Sequence, residues 1–309
     1  MNPLPILILG VIGFVAVVTA GGWMLGRVRG PDDPLARNVR ARIDAWWGMG
    51  LVLALAMLAG RWGIILLFLA LSFAALREFV TLIHRERADH WAFVAVFFVV
   101  LPVQYLWVGL EERILYTIFI PVYGFLLAPI ASVFGGKTDQ FLERIAGTQW
   151  ATMLCIYCLS HVAALVTLDV PGFEGREVLL VAFLFLVVQG SDAAQFAVGI
   201  AFGRRSMGEA LPSKRTWEGF GAAMVWALVV GAGLWWITPF NPLEAGLIGV
   251  LLALMGFFGR LVMAGIKRGH GVRAWSHGVM SYGGMLDRLD SVIFAAPVFY
   301  HVVRWGWAA

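Results

Sequence analysis

Two aspartates and an arginine fall within four residues near the carboxyl-terminal end, in the stretch "SYGGMLDRLDS" from Ser281 to Ser291. Asp287 and Asp290 are three residues apart, so on a helix they share a face, with Ser291 beside them. Their carboxylates would repel each other unless a cation lay between them, and Mg²⁺ suits such oxygen ligands. Arg288 would point elsewhere and could pair with a carboxylate or a phosphate. The stretch predicts a magnesium site; the alternative is a salt-bridge network that anchors a helix end.

A glycine pair, Gly283 and Gly284, directly precedes this predicted helix. Glycines let backbone N–H groups approach an anion closely, and a helix start adds the positive end of its dipole. We therefore predict that the pair contacts a phosphate group of a substrate. The alternative is a tight turn that leads into the helix.

A third aspartate, Asp192, lies inside the long apolar run "VVQGSDAAQFAVGIAFGRR". It precedes Arg204 by twelve residues, which is about 18 Å along a helix. A carboxylate at such a depth in an apolar helix is a functional-site candidate by default. The alternatives are a hydrogen-bonded aspartate packed between helices and an ion relay in a transporter. A pair of interrupted helices in matching halves of the chain would favour a transporter, and we find no such pair.

Basic residues also cluster in the segment "LPSKRTWEGFGAA" (211–223), which follows this apolar run. Lys214 and Arg215 precede Thr216, a good helix cap, and Trp217 follows it. Basic side chains next to a helix start favour binding of a phosphate. The alternative is the ordinary basic flank of a membrane helix.

The elements that must position these side chains are long apolar helices. The 309 residues are 61% hydrophobic and 14% charged, far fewer charges than in a soluble domain. We predict an all-α integral membrane bundle, 1–309, as one domain, because runs of about 20 apolar residues without alternation fit helices better than barrel strands. Ten candidate spans are 4–26, 45–60, 62–83, 91–110, 113–134, 146–168, 177–203, 217–238, 243–266 and 285–305. A nine-span interpretation that merges or demotes the second span stays open.

Basic residues alternate between the loops. All but four of the 23 Lys and Arg fall on one side of a ten-span topology, which the positive-inside rule places in the cytoplasm. Both termini are then outside, and the loops 204–216 and 267–284 are cytoplasmic. The net charge of +4 reflects this bias and gives no indication of nucleic-acid binding.

The carboxyl-terminal third resembles the phosphatidate cytidylyltransferase, or CDP-diacylglycerol synthase, family. "PSKRTWEG" (212–219), "KRGHGV" (267–272) and "YGGMLDRLDS" (282–291) are similar to three family blocks and occur in the same order. Asp192 lines up with an aspartate upstream of the first block. The resemblance is clear over roughly 190–300, and the D-R-x-D-S ending after Gly-Gly is its most specific part.

This resemblance implies transfer of a cytidylyl group from CTP to phosphatidate, or to a related lipid phosphate, in phospholipid synthesis. It implies Mg²⁺ held by Asp287 and Asp290, with Asp192 as a third catalytic residue, in the plasma or inner membrane and facing the cytoplasm. Residues 1–175 would shape the lipid cavity, and 176–309 would carry the catalytic signature. The sequence leaves a homodimer open. The implied substrate-binding residues are Lys214, Arg215, Thr216, Trp217, Lys267, Arg268, Gly283, Gly284, Arg288 and Ser291.

The chain departs from the family pattern at several positions. Arg260 and Ala274 stand where the family has aspartates, and Ser281-Tyr282 replaces a Gly-His pair. Arginine in place of a metal-binding aspartate changes the local charge by two units. Two accounts stay open. In one, Arg260 supplies positive charge near the phosphates and the remaining aspartates hold one Mg²⁺; in the other, the chain binds lipid or nucleotide but has lost cytidylyl transfer.

Overall fold

The computed structural model describes residues 4–30, 33–83, 90–136, 139–208, 215–272, 274–275 and 283–308. Of the described residues, 83% are helical, and they form no strand beyond one isolated antiparallel bridge between Ser206 and Thr216. The predicted all-α class is confirmed. Lys214, Arg273, Ser281 and Tyr282 lie outside the described residues.

A helix occupies the position of each predicted span. In chain order these helices are α1 Leu4–Arg29, α2 Pro34–Leu58, α3 Gly60–Ile83, α4 His90–Gly109, α5 Arg113–Val133, α6 141–165, α7 Val178–Phe202, α8 Trp217–Gly233, α9 Pro242–Gly269 and α10 Leu286–Gly306. Helix α2 begins well before the predicted residue 45, because the polar segment that precedes the apolar run is helical too. Helices α2 and α3 are separate, and Gly60, the first residue of α3, has a φ of 71°.

Seven helices in the described part of the chain are long and apolar enough to cross a membrane: α1 to α5, α7 and α9. Helix α8 is apolar but shorter, and α10 carries charged residues in its first turns. The protein is therefore a multi-pass membrane protein. The count of ten spans stays a prediction, as do the division at residue 175 and the cytoplasmic orientation.

Three helices contain a π-helical turn, at Val96–Val100 in α4, Phe119–Gly124 in α5 and Met153–Cys158 in α6. Pro121 lies inside the second turn and Pro102 closely follows the first, and a proline removes one backbone N–H from the regular helical pattern.

The core of the bundle lies where α3, α6, α7 and α10 meet. The last segment of α6, Leu159–Leu165, is buried along its whole length, and so is the stretch 179–184 of α7. Helix α1 is peripheral and leaves large apolar side chains such as Leu9 and Met24 exposed. Apolar surface of this kind suits contact with lipid chains.

The packing brings three helix ends together. The carboxyl-terminal end of α9 lies beside the amino-terminal end of α10, the end of α3 reaches the same region, and the second half of α7 packs against α9 beside it. This end of the bundle, which we call the polar end, carries Glu78, Asp192, Lys267 and Asp287. Three of these four residues, Asp192, Lys267 and Asp287, are predicted site residues.

Candidate functional site

Asp287 lies in the first turn of α10 and is held by three donors. One carboxylate oxygen pairs with the Lys267 ammonium from the last turn of α9. The other oxygen accepts hydrogen bonds from the backbone N–H groups of Gly284, at 3.0 Å, and Trp275, at 3.1 Å. A carboxylate in this position also opposes the positive end of the helix dipole. Asp287 is thus fixed in orientation.

A second carboxylate reaches the same helix start from α3. The Glu78 oxygens accept hydrogen bonds from the N–H groups of Met285, at 2.8 Å, and Leu286, at 3.0 Å. These amides belong to the groups at a helix start that lack partners inside the helix. A Cβ atom on Gly284 would lie 2.4 Å from a Glu78 oxygen, so a larger residue here would displace the Glu78 carboxylate. The neighbouring Gly283 has a φ of 73°, a backbone conformation that glycine adopts without strain.

A second ion pair joins α7 to α9. The Arg260 guanidinium contacts the Asp192 carboxylate, and the side chains keep only 12% and 15% of their exposure. The same guanidinium donates to the Gln195 side-chain oxygen at 2.7 Å, and Arg215 donates to that oxygen at 3.4 Å. Two arginines therefore converge on a single buried glutamine, and one of them also pairs with Asp192. The Gln195 amide nitrogen is buried and has no hydrogen-bond partner among the described residues.

Arg215 belongs to a hairpin-like segment that leads into α8. The N–H of Met207 donates to the Arg215 carbonyl at 2.9 Å, and the N–H of Trp217 donates to the Arg205 carbonyl at 3.0 Å. Burial lowers the pKa of Arg215 to about 10, and the nearby Arg260 acts in the same direction. The guanidinium is thus confined among neighbours that already include a second cation, an arrangement that favours an anion nearby.

Thr216 caps α8, as the sequence predicts. Its hydroxyl accepts a hydrogen bond from the N–H of Gly219 at 3.2 Å. Trp217, the first residue of α8, is exposed over about half of its surface. The threonine therefore has a structural task here, whereas contacts of either residue with a substrate stay a prediction.

Asp290 lies between the two ion pairs, where α9 and α10 approach each other closely. A Cβ atom on Gly259 would lie 2.6 Å from the Asp290 carbonyl oxygen, so glycine is required for this approach. One Asp290 carboxylate oxygen accepts the N–H of Ser291 at 2.8 Å. The Ser291 side chain is fully buried, and its hydroxyl has no hydrogen-bond partner among the described residues. Arg260, next to Gly259 in the chain, is thereby brought beside Asp290.

The structure gathers most of the predicted site residues at the polar end. Asp192, Arg215, Lys267, Asp287 and Asp290 lie there with the contacts given above. The backbone carbonyl of Arg288 accepts a hydrogen bond from Gln189 at 2.9 Å; Arg268 is an exposed residue in the last turn of α9. Lys214 lies outside the described residues.

Sequence reasoning assigned no chemistry to Glu78 and did not single out Gln195. The signal for Glu78 was an acidic residue at the end of an apolar run, directly after Arg77. The signal for Gln195 was an amide three residues after Asp192 on the same face of an apolar helix. Both side chains recognise partners that are far away in the sequence.

A model of the cytidylyltransferase family matches residues 40–305, which covers the site and most of the bundle. The chain belongs to the cytidylyltransferase family. The match extends well before residue 190, where the resemblance seen in the sequence becomes vague.

Curated relatives of this family member differ in how much of the chain they match. A protein of Escherichia coli strain K12 described as "Uncharacterized protein YnbB" is 34% identical over 274 residues, which are 87% of this chain and 88% of that protein. The phosphatidate cytidylyltransferase of Mycobacterium bovis is 31% identical over 123 residues, 39% of this chain and 40% of its own. The Staphylococcus aureus (strain COL) enzyme of the same name is 28% identical over 158 residues, 50% of this chain and 61% of its own. The match to these two enzymes therefore spans less than two thirds of each.

The arrangement of acidic side chains in this family member bears on the predicted magnesium site. The described residues contain no group of three or more His, Cys, Asp or Glu side chains placed to hold a metal ion. Asp192 and Asp287 are each paired with a basic side chain. Mg²⁺ is often bound by one or two carboxylates together with waters and substrate phosphates. Binding by Asp287 and Asp290 would require Lys267 to give up its place, and it stays a prediction.

Proposed function

We propose that the protein transfers the cytidylyl group of CTP to phosphatidate or a closely related lipid phosphate. The products are CDP-diacylglycerol, or its analogue, and pyrophosphate. The observation that carries the proposal is the polar end itself. Lys267, Arg260 and Arg215 converge with three aspartates at one end of membrane helices, inside the region that matches the cytidylyltransferase family.

The chemistry of the transfer suits such a site. A phosphate oxygen of the lipid forms a bond to the α-phosphorus of CTP, and the bond from that phosphorus to the bridging oxygen breaks. Pyrophosphate leaves with the electron pair of the broken bond. Phosphoryl transfer of this kind needs little covalent help from the protein, and it depends on positioning and on cations near the phosphate oxygens.

The basic side chains have distinct positions for this task. Lys267 lies at the end of α9, where a lipid phosphate at the membrane surface would be in reach. Arg260 lies about two turns before Lys267 in α9, and both Arg260 and Arg215 donate to Gln195. We assign these two arginines to the phosphates of the nucleotide. Asp287 orients Lys267, and Asp192 orients Arg260. Once Lys267 has left Asp287 for the lipid phosphate, Asp287 and Asp290 would hold Mg²⁺, which would neutralise phosphate charge and favour the leaving group.

One observation favours a second candidate function. Arg260 pairs with the Asp192 carboxylate, so a cation of the protein already balances the charge of this carboxylate. A protein of this kind would bind lipid phosphate or CTP without forming product. The two functions differ in turnover, which one assay measures.

The test uses purified protein with labelled CTP, phosphatidate and Mg²⁺, and measures label in the chloroform-soluble fraction. The proposal predicts steady incorporation by the wild type. Asp287→Asn is expected to lower the rate by about a hundredfold or more, as for loss of a group that supports transition-state charge. Glu143→Gln, an exposed carboxylate in the first turn of α6, serves as the matched control and should leave the rate unchanged.

Each outcome decides between the candidates. Binding of CTP or phosphatidate without any product would favour the non-catalytic function. Equal rates for the wild type and Asp287→Asn would show that Asp287 has no part in the reaction.

A further inference from the structure

A cavity of about 400 Å³ lies beside the polar end, between α3, α6 and the last turns of α9. Its walls are almost entirely apolar and include Phe79, Trp150, Val262, Gly265, Ile266 and His270. Gly265 and Trp150 are exposed, the latter to 52%, so the cavity opens towards the outside of the bundle. We call the cavity the lateral groove.

The lateral groove adjoins the aspartate site through two direct connections. Phe79 stacks on Trp275 with ring centroids 5.0 Å apart, and the backbone N–H of Trp275 donates to Asp287. Ile266 is followed in α9 by Lys267, whose ammonium pairs with the same carboxylate. A molecule that reached from the groove to Lys267 would thus be apolar along its length and anionic at its end.

We infer that the lateral groove holds an acyl chain of the lipid phosphate whose headgroup is bound at Lys267. The inference rests on the proposed function and adds the position of the lipid to it. The apolar lining and the outward opening favour a hydrocarbon chain. The Lys267 ammonium, which follows Ile266 of the groove in α9 and pairs with Asp287, is the cation that a phosphate headgroup would bind. Nucleotides match neither the lining nor the opening.

Gly265 lines the groove and offers a position at which a larger side chain would narrow it. A Cβ atom built on this residue would meet no other atom within 4 Å, so a larger side chain fits without disturbing the backbone and projects into the groove. Gly269, one turn further along α9, is equally open but does not line the groove. The two glycines form a matched pair for substitution on one helix.

The first experiment compares Gly265→Leu with Gly269→Leu in the labelled-CTP assay. Gly265→Leu should raise the KM for dioleoyl phosphatidate by about tenfold, the equivalent of about two methylene groups that lose their burial. The KM for CTP should stay unchanged, and dihexanoyl phosphatidate should be affected less than the long-chain lipid. Gly269→Leu should behave as the wild type. Equal KM values for the two variants, or an equal effect on both lipids, would overturn the inference.

The second experiment does not depend on turnover. A phosphatidate with a photoactivatable diazirine near the end of one acyl chain is added to the protein in phosphatidylcholine vesicles. Labelling should concentrate on peptides that contain Trp150 and Val262, fall with excess unlabelled phosphatidate, and be lost in Gly265→Leu but not in Gly269→Leu. Labelling spread evenly over the exposed face of α1 and unaffected by competition would refute the inference. If unlabelled phosphatidate reduces labelling of the groove in a protein that shows no transferase activity, the proposed function is refuted and the inference that the groove holds an acyl chain is supported.

Discussion

The carboxylate of Glu78 accepts hydrogen bonds from the amides of Met285 and Leu286, and so ties α3 to the first turn of α10 across 207 residues of sequence. The same turn carries Asp287, which binds the Gly284 amide and Lys267. Two carboxylates of the protein thus occupy the amides at this helix start. The prediction that Gly283 and Gly284 bind a substrate phosphate stays untested, and in this structure the amide of Gly284 is directed at Asp287.

Removal of the Glu78 carboxylate should destabilise the polar end. Glu78→Ala leaves two amides without their acceptor, and we expect a loss of about 1–3 kcal/mol in the free energy of unfolding. Glu78→Gln retains one acceptor oxygen and should lose less. The measurement is the thermal midpoint in detergent, with Glu143→Gln as the control. A midpoint for Glu78→Ala equal to that of the control would contradict the capping role.

Gly284→Ala tests how closely α3 approaches the helix start. The added methyl group would lie 2.4 Å from a Glu78 oxygen, so the Glu78 carboxylate must move, its hydrogen bonds to the turn should weaken, and the thermal midpoint should fall. Gly269→Ala, at an open position of α9, is the matched control and should have little effect. In the double variant Glu78→Ala/Gly284→Ala the clash is absent. Its destabilisation should therefore be smaller than the sum of the two single effects.

The Asp192–Arg260 pair is expected to stabilise the packing of α7 on α9. Asp192→Asn or Arg260→Met alone leaves an uncompensated charge away from water, and we expect each to cost about 3 kcal/mol, the lower end for a buried pair because some exposure remains. The destabilisation of the double variant should be smaller than the sum of the two single effects. Thermal midpoints of the four proteins complete the cycle. Strict additivity would show that the pair contributes nothing.

Magnesium dependence provides the test of the metal prediction. Turnover should disappear in EDTA and return with added Mg²⁺, because Asp287 and Asp290 are the expected ligands. Asp290→Asn should raise the Mg²⁺ concentration needed for half-maximal turnover, while Glu143→Gln should leave it unchanged. Full activity in EDTA would show instead that Arg260, Arg215 and Lys267 alone supply the positive charge.

The positions of the helices could be predicted from the sequence because the relevant forces are local. Apolar runs of about 20 residues place a helix at each expected span, and Thr216 is recognisable as a cap since its acceptor serves an amide three residues later. Helix α2 begins at Pro34, well before the predicted apolar span 45–60. A polar segment can continue a helix outside the apolar run, and hydropathy gives no signal for this.

The site was predictable only in part. Asp287 and Asp290 share a helical face by spacing alone, and the apolar surroundings of Asp192 marked it as a candidate. Their partners could not be derived in the same way. Lys267 is 20 residues from Asp287, and Arg260 is 65 residues from Gln195, so these contacts depend on how α7, α9 and α10 pack.

The sequence by itself determined an all-helical membrane bundle and the acidic positions in its final third, since hydropathy and helical spacing are properties of neighbouring residues. Only the tertiary structure decided which cations those aspartates meet, that Glu78 caps α10, and that an apolar groove opens beside Lys267. Those relations arise from the close approach of helices at Gly259 and Gly284, where the absence of a side chain lets distant segments touch.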